Sequence, residues 1–337
     1  MIVVLKPRTS RKDETAVIRE IKKLGYQPHV MRGIEHTVIG AIGDERKHHT
    51  LETLTAFPQV ESVMPVQKRY KLVSRAAHTA NSKIDVRGQI IGGKKFQVMA
   101  GPCSVEGEKQ LLACAEAVKK AGASILRGGA FKPRTSPYEF QGLGKKGLKL
   151  LAKASRETGL PIITELLSED HADLVAEYAD ILQIGTRNAQ NFQLLIAAAK
   201  TGRPVLLKRG MSMKIEEWLL AGEYVLANEN PNLMFCERGI RTFETYTRNT
   251  LDLATIPIIK KESHCPIVID PSQGAGRADL VLAMCKGAVA MGADALLIEV
   301  HPNPAEAWSD GAQQVSFDMF AQLMEELKPF IAAAGRE

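Results

Sequence analysis

Short apolar runs alternate with helical stretches along the chain after residue 95. The intervening segments repeat apolar residues at helical spacing and end in Gly or Gly-Ala. Near-continuous apolar strands separated by helices indicate a parallel sheet covered on its outer face. Eight β/α units in about 240 residues match a closed (β/α)8 TIM barrel better than the rival, a doubly wound open sheet. The eight runs are FQVMA, ASILRG, PIITEL, DILQIG, PVLLK, NLMFC, PIVID and ALLIEV.

The N-terminal part of the chain has a different pattern. An apolar run, MIVVLK, precedes an amphipathic stretch, KDETAVIREIKKLG, which predicts a helix ending at Gly25. QPHVMRG and HTVIGAIG predict a strand pair, HHTLETLTAFP a second helix and VESVMPVQ a last strand. The order β-α-β-β-α-β is that of a ferredoxin-like α+β domain.

These patterns divide the chain into three parts. We expect the ferredoxin-like domain over residues 1–70, a polar linker over 71–85 and the barrel over 86–337. IDVRGQIIGGKKF, at the start of the barrel, predicts a hairpin.

Composition narrows the class of protein. Hydrophobic content of 45% with 24% charged residues is typical of a soluble globular protein. The net charge of +6 is compatible with nucleic acid, an acidic surface or small anions as partners. The aromatic content of only 5% argues weakly against a protein that binds nucleic acid by stacking on its bases. Five cysteines without C-x-x-C spacing indicate reduced thiols in a cytoplasmic protein. No apolar run has the length of a membrane span.

The pentapeptide KPRTS occurs at residues 6–10 and again at 132–136. The flanks of the two copies differ, so the repetition is not an internal duplication. The first copy stands between the first strand and the first helix, where Thr9 or Ser10 would cap the helix. The second copy follows a predicted barrel strand, and the residues on either side of it include several glycines and aromatic residues.

A polar or ionisable group follows every predicted barrel strand. Because the active site of such a barrel lies at the carboxyl ends of its strands, these groups should meet at one mouth. Polar residues often end strands, which would explain one or two of these groups but does not easily explain eight. They are Cys103, Arg127 with Lys132 and Arg134, Glu165, Arg187, Lys208, Glu237 with Arg238, Asp270, and Glu299 with His301.

The mix of charges at this mouth suggests its ligands. Six cations crowded together favour a strongly anionic small molecule, and two phosphates plus a carboxylate would suffice. Cys103, Glu299 and Asp310 supply a thiolate and two carboxylates, which are plausible ligands for a divalent transition metal. Taken singly, each of these residues has a structural explanation that is as good as metal binding. Cys103 could be a buried thiol, Glu299 a salt-bridge partner and Asp310 a helix cap.

Eight longer motifs occur along residues 86–330: AGPCSVE, LRGGAFKPRTSPYEFQGLG, QIGTRNAQNF, PVLLKRG, CERGIRTFE, TRNTLDL, IDPSQGAGR and EVHPNPAEAWSDG. In this order they resemble the motifs of the 3-deoxy-D-arabino-heptulosonate 7-phosphate (DAHP) synthase family, type I-beta subfamily. The resemblance implies condensation of phosphoenolpyruvate with erythrose 4-phosphate, the first step of the shikimate pathway, by a metal-binding homo-oligomer. The N-terminal part resembles the family's regulatory domain, which implies feedback inhibition by tyrosine or phenylalanine.

The resemblance also implies roles for single residues. Lys132, Asp270 and His301 would take part in catalysis, with His301 as an acid/base or supporting residue. Arg134 and Thr135 would bind erythrose 4-phosphate, which makes the second KPRTS the functional copy. The group holding phosphoenolpyruvate would be Arg127, Lys132, Arg187, Lys208 and Arg238, and Glu165 would be a further substrate-binding residue.

The sequence departs from the family at one metal ligand. The family binds its divalent ion (Mn²⁺ or similar) through Cys, His, Glu and Asp, and its His lies in a DPSH motif. Here Cys103, Glu299 and Asp310 are kept, but the motif reads DPSQ and ends in Gln273. Gln273 could ligate the ion through its amide oxygen, the enzyme could work without a metal, or His301 could replace the missing ligand. A paralogue with another acceptor, or an inactive ligand-sensing protein, is the alternative function.

Overall fold

The computed structural model describes residues 1–32, 36–43, 51–64 and 69–337. The chain forms two compact units, Met1–Arg69 and Tyr70–Glu337. The expected linker, residues 71–85, lies within the second of them. Glu223 holds the start of this segment, because its carboxylate accepts hydrogen bonds from the backbone N–H groups of residues 71, 72 and 73 at 2.9, 2.7 and 3.1 Å.

The first unit is an antiparallel four-stranded sheet with a helix, and its ferredoxin-like fold is confirmed. The elements are β1 (Ile2–Leu5), α1 (Arg11–Lys23), β2 (Gln27–Arg32), β3 (Thr37–Ile42) and β4 (Val60–Met64). The strands are ordered β2-β3-β1-β4 in the sheet. The second predicted helix covers residues 48–58, of which 48–50 lie outside the described residues, and Thr53–Ala56 form a 3-10 helix.

The first KPRTS ends at the start of α1, as predicted. Ser10 is the N-cap, and its hydroxyl accepts a hydrogen bond from the backbone N–H of Asp13 at 3.2 Å. Thr9 turns back instead and donates to the carbonyl of Lys6 at 2.7 Å. This copy therefore stabilises a strand–helix junction.

The second unit contains a closed barrel of eight parallel strands, which confirms the TIM-barrel prediction. Each apolar run named above coincides with one of them, and β7 and β12 extend one residue beyond their runs. Their side chains are almost all buried, because helices cover the outer face and the strands close on themselves. The strands are β7 (Gln97–Gly101), β8 (Ile125–Arg127), β9 (Ile162–Leu166), β10 (Ile181–Ile184), β11 (Val205–Lys208), β12 (Leu233–Glu237), β13 (Ile267–Ile269) and β14 (Ala295–Glu299).

Helices follow the strands in the expected alternation. The amphipathic ones place their apolar faces on the barrel, where Trp218 and Phe235 meet edge to face with ring centres 4.9 Å apart. The helices are α2 (Glu108–Lys120), α3 (Lys145–Thr158), α4 (Ala172–Tyr178), α5 (Phe192–Lys200), α6 (Ile215–Leu226), α7 (Thr255–Glu262), α8 (Pro271–Ala275), α9 (Ala278–Ala290) and α10 (Phe317–Ala333).

The predicted hairpin closes one end of the barrel. It consists of β5 (Ile84–Val86) and β6 (Gln89–Ile91), which pair antiparallel. Its apolar side chains pack with barrel residues such as Ile125 and Ile181, which begin their strands. The amino end of the barrel is thus filled with apolar side chains, which leaves the carboxyl end for a site.

Candidate active site

A cavity of about 310 Å³ lies at the carboxyl end of the barrel. Eight basic and three acidic side chains line it, an excess of five positive charges. Such a concentration of cations in a concave site attracts anions strongly. The basic side chains are Arg127, Lys132, Arg134, Arg187, Lys208, Arg238, Arg241 and Arg248, and the acidic ones are Glu139, Glu165 and Asp310.

The structure brings most of the predicted site residues to this cavity. Every predicted substrate-binding residue lines it, together with Gln273 and Asp310 from the predicted metal site. Cys103, Asp270 and Glu299 are fully buried and contact residues of the lining. The strand-end pattern therefore placed these side chains in one site.

Lys208 and Asp270 form an ion pair at the floor of the cavity. The Lys208 Nζ lies 2.6 Å from Asp270 Oδ2, and both side chains are nearly inaccessible to water. The other oxygen, Oδ1, accepts from the backbone N–H of Gln273 at 2.9 Å and so caps the short helix α8. Asp270 thus positions both Lys208 and the residue at 273.

Arg127 and Lys132 flank the buried Glu299. Arg127 Nη1 donates to Glu299 Oε1 at 2.9 Å. Burial alone would raise the pKa of Glu299, but Arg127 and Lys132 outweigh it and lower that pKa to about 2. Lys132 Nζ donates to the Cys103 carbonyl and lies 3.1 Å from the Cys103 sulfur. Burial, with the charge of Glu299, raises the pKa of the Cys103 thiol to about 11.

Arg238 presents unsatisfied hydrogen-bond donors in a buried place. Its Nη2 donates to Gln273 Oε1 at 2.6 Å. Among the described residues, its Nε and Nη1 and the Nε of Arg127 are buried without a hydrogen-bond partner. Burial lowers the pKa of Arg238, since desolvation disfavours its charge. Because unpaired buried donors are costly, these nitrogens are suited to a bound anion.

Glu165 is a carboxyl group placed among the cations. Burial raises its pKa, although Lys132 and Lys208 pull it down. Gln183 Nε2 lies 3.4 Å from its Oε2. Gly185 lines the cavity beside it, and a Cβ at position 185 would overlap the Glu165 carboxylate. The glycine is therefore required for the carboxylate to occupy this position.

The second KPRTS forms one wall of the cavity. Lys132 is buried, whereas Arg134 and Thr135 line the cavity nearer to solvent. Arg134 Nε donates to Glu139 Oε2 at 2.9 Å, which restrains its guanidinium. The two copies of the motif are thus in different environments, a helix cap and a cationic cavity wall.

Cys103, Glu299 and Asp310 form a group able to hold a metal ion. Their ligand atoms all lie within 4.8 Å of one another. A thiol and two carboxylates suit a divalent ion in their chemistry. Gln273 adjoins this group through its Nε2, which lies 3.2 Å from Glu299 Oε1. Three of the four predicted metal-site residues therefore fit an ion, and the amide oxygen of the fourth faces Arg238.

Two strand-end residues neither line the cavity nor form, within the described residues, a side-chain hydrogen bond or ion pair with a residue that lines it. His301 is buried outside the lining, with its Nε2 3.2 Å from Glu106 Oε2 and its Nδ1 accepting from the Asn303 backbone N–H. Its backbone pairs with Val315 beyond the strand end, which turns the ring away. The expectation that Glu237 reaches the mouth is also wrong. Its carboxylate instead accepts from Arg209 and from the Gly239 backbone.

Several cavity residues were not singled out from the sequence. Arg241, Arg248 and Asn249 line the cavity from the loop after β12. Arg248 Nη1 donates to Asp310 Oδ1 at 3.0 Å and to Gln313 Oε1 at 3.1 Å. The motifs CERGIRTFE and TRNTLDL contain the three loop residues. No spacing rule, however, showed that this exposed loop returns to the mouth.

The fold and the site define a class of protein: a TIM-barrel enzyme with a deep cationic cavity for anionic substrates and a carboxylate and thiol cluster beside it. Comparison with known proteins is consistent with this class. Residues 75–333 match the DAHP synthetase I family, and residues 1–68 match the DAHP synthase ferredoxin-like domain. The chain therefore belongs to the DAHP synthase family.

Individual relatives match over long stretches. Phospho-2-dehydro-3-deoxyheptonate aldolase of Thermotoga maritima is 49% identical over 335 residues, which cover 99% of each chain. The crystal structure of that aldolase (DAHP synthase) from the same organism has a TM-score of 0.93 and covers 100% of this chain and 98% of its own. A 2-dehydro-3-deoxyphosphooctonate aldolase of Caulobacter vibrioides is 33% identical over 259 residues, covering 71% of this chain and 88% of its own. Among the described residues no helix is long and apolar enough to cross a membrane.

Proposed function

We infer that this protein is a DAHP synthase, which condenses phosphoenolpyruvate with erythrose 4-phosphate and releases phosphate as the first step of the shikimate pathway. The observation that carries this conclusion is the cationic cavity with unpaired buried guanidinium nitrogens, built around the second KPRTS. The match to the Thermotoga aldolase over nearly the whole chain supports it. A paralogue or an inactive sensor is not favoured, because the cation array is complete.

The deep part of the cavity would bind phosphoenolpyruvate. Its phosphate and carboxylate carry the negative charge that Arg127, Lys132, Arg187, Lys208 and Arg238 require. The unpaired nitrogens of Arg127 and Arg238 would donate to these oxygens, and charge-assisted bonds of this kind are the strong ones. Glu165 would orient the lysines between which it lies.

The outer part of the cavity would bind erythrose 4-phosphate. Arg134 and Thr135 offer a guanidinium and a hydroxyl to a second phosphate. Glu139 holds Arg134 in place and so lowers the entropy lost on binding. This arrangement would direct the aldehyde of erythrose 4-phosphate towards the buried Lys132.

The reaction then balances as follows. C3 of phosphoenolpyruvate forms a bond to the aldehyde carbon, and the aldehyde oxygen takes up a proton, for which Lys132 is the nearest predicted donor. Water adds its oxygen to C2, the bond from C2 to the phosphate oxygen breaks, and phosphate leaves with the electron pair of that bond. Of the two protons of the water, one leaves on the phosphate and one restores Lys132, so that C2 ends as a ketone. The main contribution of the chain is to hold two anions in reacting geometry and to neutralise their charges. Asp270 would act through Lys208, and His301 would position Glu106 rather than contact substrate.

The cofactor would be a divalent cation such as Mn²⁺. Cys103, Glu299 and Asp310 would hold it. When bound, such an ion supplies Lewis-acid polarisation of the aldehyde oxygen.

Regulation, assembly and location follow from the resemblance. The ferredoxin-like unit would bind tyrosine or phenylalanine as a feedback inhibitor, and the protein would be a homo-oligomer. We place it in the cytoplasm, in agreement with five cysteines that form no disulfide. No nucleic-acid or membrane partner is proposed.

Phosphate release by the purified protein tests this function. We expect release only when both substrates are present, loss of activity after EDTA and its return with Mn²⁺. Lys132→Met provides a control that removes the central ammonium. If phosphoenolpyruvate shifts the melting temperature but no condition yields phosphate, the proposed reaction is refuted and a binding protein remains.

A further inference from the structure

Gln273 is hydrogen-bonded to two charged groups at once. Its Oε1 accepts from Arg238 Nη2 at 2.6 Å, and its Nε2 lies 3.2 Å from Glu299 Oε1. Its backbone is fixed as well, since its N–H donates to Asp270 and its carbonyl accepts from Asn249, both at 2.9 Å. Backbone and side chain are thus held independently.

The orientation of this amide follows from the chemistry of its neighbours. A guanidinium only donates hydrogen bonds, whereas the Glu299 carboxylate accepts one from Arg127 on the same oxygen. The acceptor half of the Gln273 amide therefore belongs at Arg238 and the donor half at Glu299. A reversed amide would set NH₂ against the guanidinium NH₂ and lose both bonds.

The same bonds keep the amide oxygen from the metal cluster. To ligate an ion beside Cys103 and Asp310, the oxygen would have to leave Arg238. That would leave another buried guanidinium nitrogen unpaired, besides the two that already lack a partner among the described residues. The three candidate metal ligands already contact cations of the protein: Cys103 contacts Lys132, Glu299 contacts Arg127, and Asp310 contacts Arg248.

We propose that Gln273 is a positioning residue that joins Arg238 of the phosphoenolpyruvate site to Glu299, and that it is not a metal ligand. The cation site of this chain then consists of Cys103, Glu299 and Asp310 alone. The cation-free protein keeps Arg238 in place and binds phosphoenolpyruvate without an ion. This inference rests on the proposed function, from which the assignment of phosphoenolpyruvate is taken.

Two binding measurements on the full chain test it. The first is Mn²⁺ affinity, from the electron paramagnetic resonance signal of free Mn²⁺. The second is phosphoenolpyruvate affinity of the EDTA-treated protein by calorimetry. The variants are Gln273→Leu, which removes both hydrogen bonds at similar volume, and Gln273→His, which offers an imidazole. Gln322→Leu, an exposed position on α10, is the matched control.

If Gln273 joins Arg238 to Glu299 without ligating the ion, its replacement by leucine should affect the two ligands differently. In Gln273→Leu we expect Mn²⁺ affinity to stay within about threefold and phosphoenolpyruvate affinity to fall about tenfold, as for one charged hydrogen bond. In Gln273→His we expect Mn²⁺ to bind at least about tenfold more tightly, because a fourth donor is added. Gln322→Leu should change neither affinity.

Other outcomes would overturn the inference. A loss of about tenfold or more in Mn²⁺ affinity in Gln273→Leu would identify the amide as a ligand. Unchanged phosphoenolpyruvate affinity would show that Arg238 does not depend on residue 273. If leucine prevents folding, Gln273→Met gives the same comparison, since its unbranched side chain has a similar length and no amide. A wild-type protein that binds no phosphoenolpyruvate would refute the proposed function itself.

Discussion

The buried ion pair between Lys208 and Asp270 offers a sharp test of how the cavity is built. In Asp270→Asn the shape of the side chain and the cap of α8 are kept, but the negative charge is lost. The ammonium of Lys208, 2.6 Å away in the wild type, then stays buried without its counter-charge. Phosphoenolpyruvate, if it binds here, would bring an anion to replace the missing carboxylate.

The expected loss of stability follows from the burial of both partners. Removing one partner of a buried pair costs about 3–5 kcal/mol, and Asp270→Asn should cost at least about 3 kcal/mol, because the amide oxygen that keeps the cap of α8 leaves the amide NH2 facing the Lys208 ammonium. With an unfolding entropy of about 2.1 cal/mol/K per residue, a loss of about 3 kcal/mol corresponds to a fall in melting temperature of about 4–5 °C for a chain of 337 residues. We also expect phosphoenolpyruvate to raise the melting temperature of the variant by more than that of the wild type.

Differential scanning calorimetry with and without phosphoenolpyruvate measures both quantities. The control is Asp294→Asn at the amino end of β14, which removes the charge of a buried carboxylate that pairs with the half-buried Lys260, 3.0 Å away, and with Arg336. It should lower stability without any added response to phosphoenolpyruvate. A loss of less than about 1 kcal/mol in Asp270→Asn, or an unchanged response to phosphoenolpyruvate, would refute the reasoning.

Two further predictions concern the second KPRTS and the start of the barrel unit. Arg134→Ala should raise the KM for erythrose 4-phosphate about tenfold or more, as for a lost charged hydrogen bond, and steady-state kinetics will show it. Arg8→Ala in the first copy is the control, and an equal effect there would contradict the assignment. Burial and a 2.6 Å hydrogen bond to Glu262 raise the pKa of Tyr70, so the folded state favours the protonated phenol. Stability should therefore be complete below the ordinary phenol pKa and decline as pH rises above it, and alkaline denaturation curves should show a smaller decline in Tyr70→Phe.

Most of the barrel could be predicted because its signals are local. Each strand is a short buried run such as PIITEL or PVLLK, and each is followed by an amphipathic helix, so the alternation is visible without tertiary contacts. The rule that active sites lie at the carboxyl ends of barrel strands then brought distant residues such as Arg127 and Lys208 to one mouth. The ferredoxin-like order of the first unit was predictable in the same way.

Side-chain direction beyond the strand ends was not predictable from local pattern. Glu237 and Arg238 are neighbours at the end of β12, yet Arg238 lines the cavity and Glu237 turns to Arg209. His301 lies two residues after Glu299 and is directed to Glu106. Arg248 reaches the cavity only because its loop folds back over the mouth.

The sequence by itself determined the class of fold, the two units and the types of charge that the site contains. Only the tertiary structure decided which charges meet and which atoms remain without partners. The departure at Gln273 shows the difference: the sequence revealed the missing imidazole, and the contacts with Arg238 and Glu299 revealed what replaces it. The physical reason is that strand and helix periodicities depend on neighbouring residues, whereas hydrogen bonds at the mouth join residues far apart in the chain.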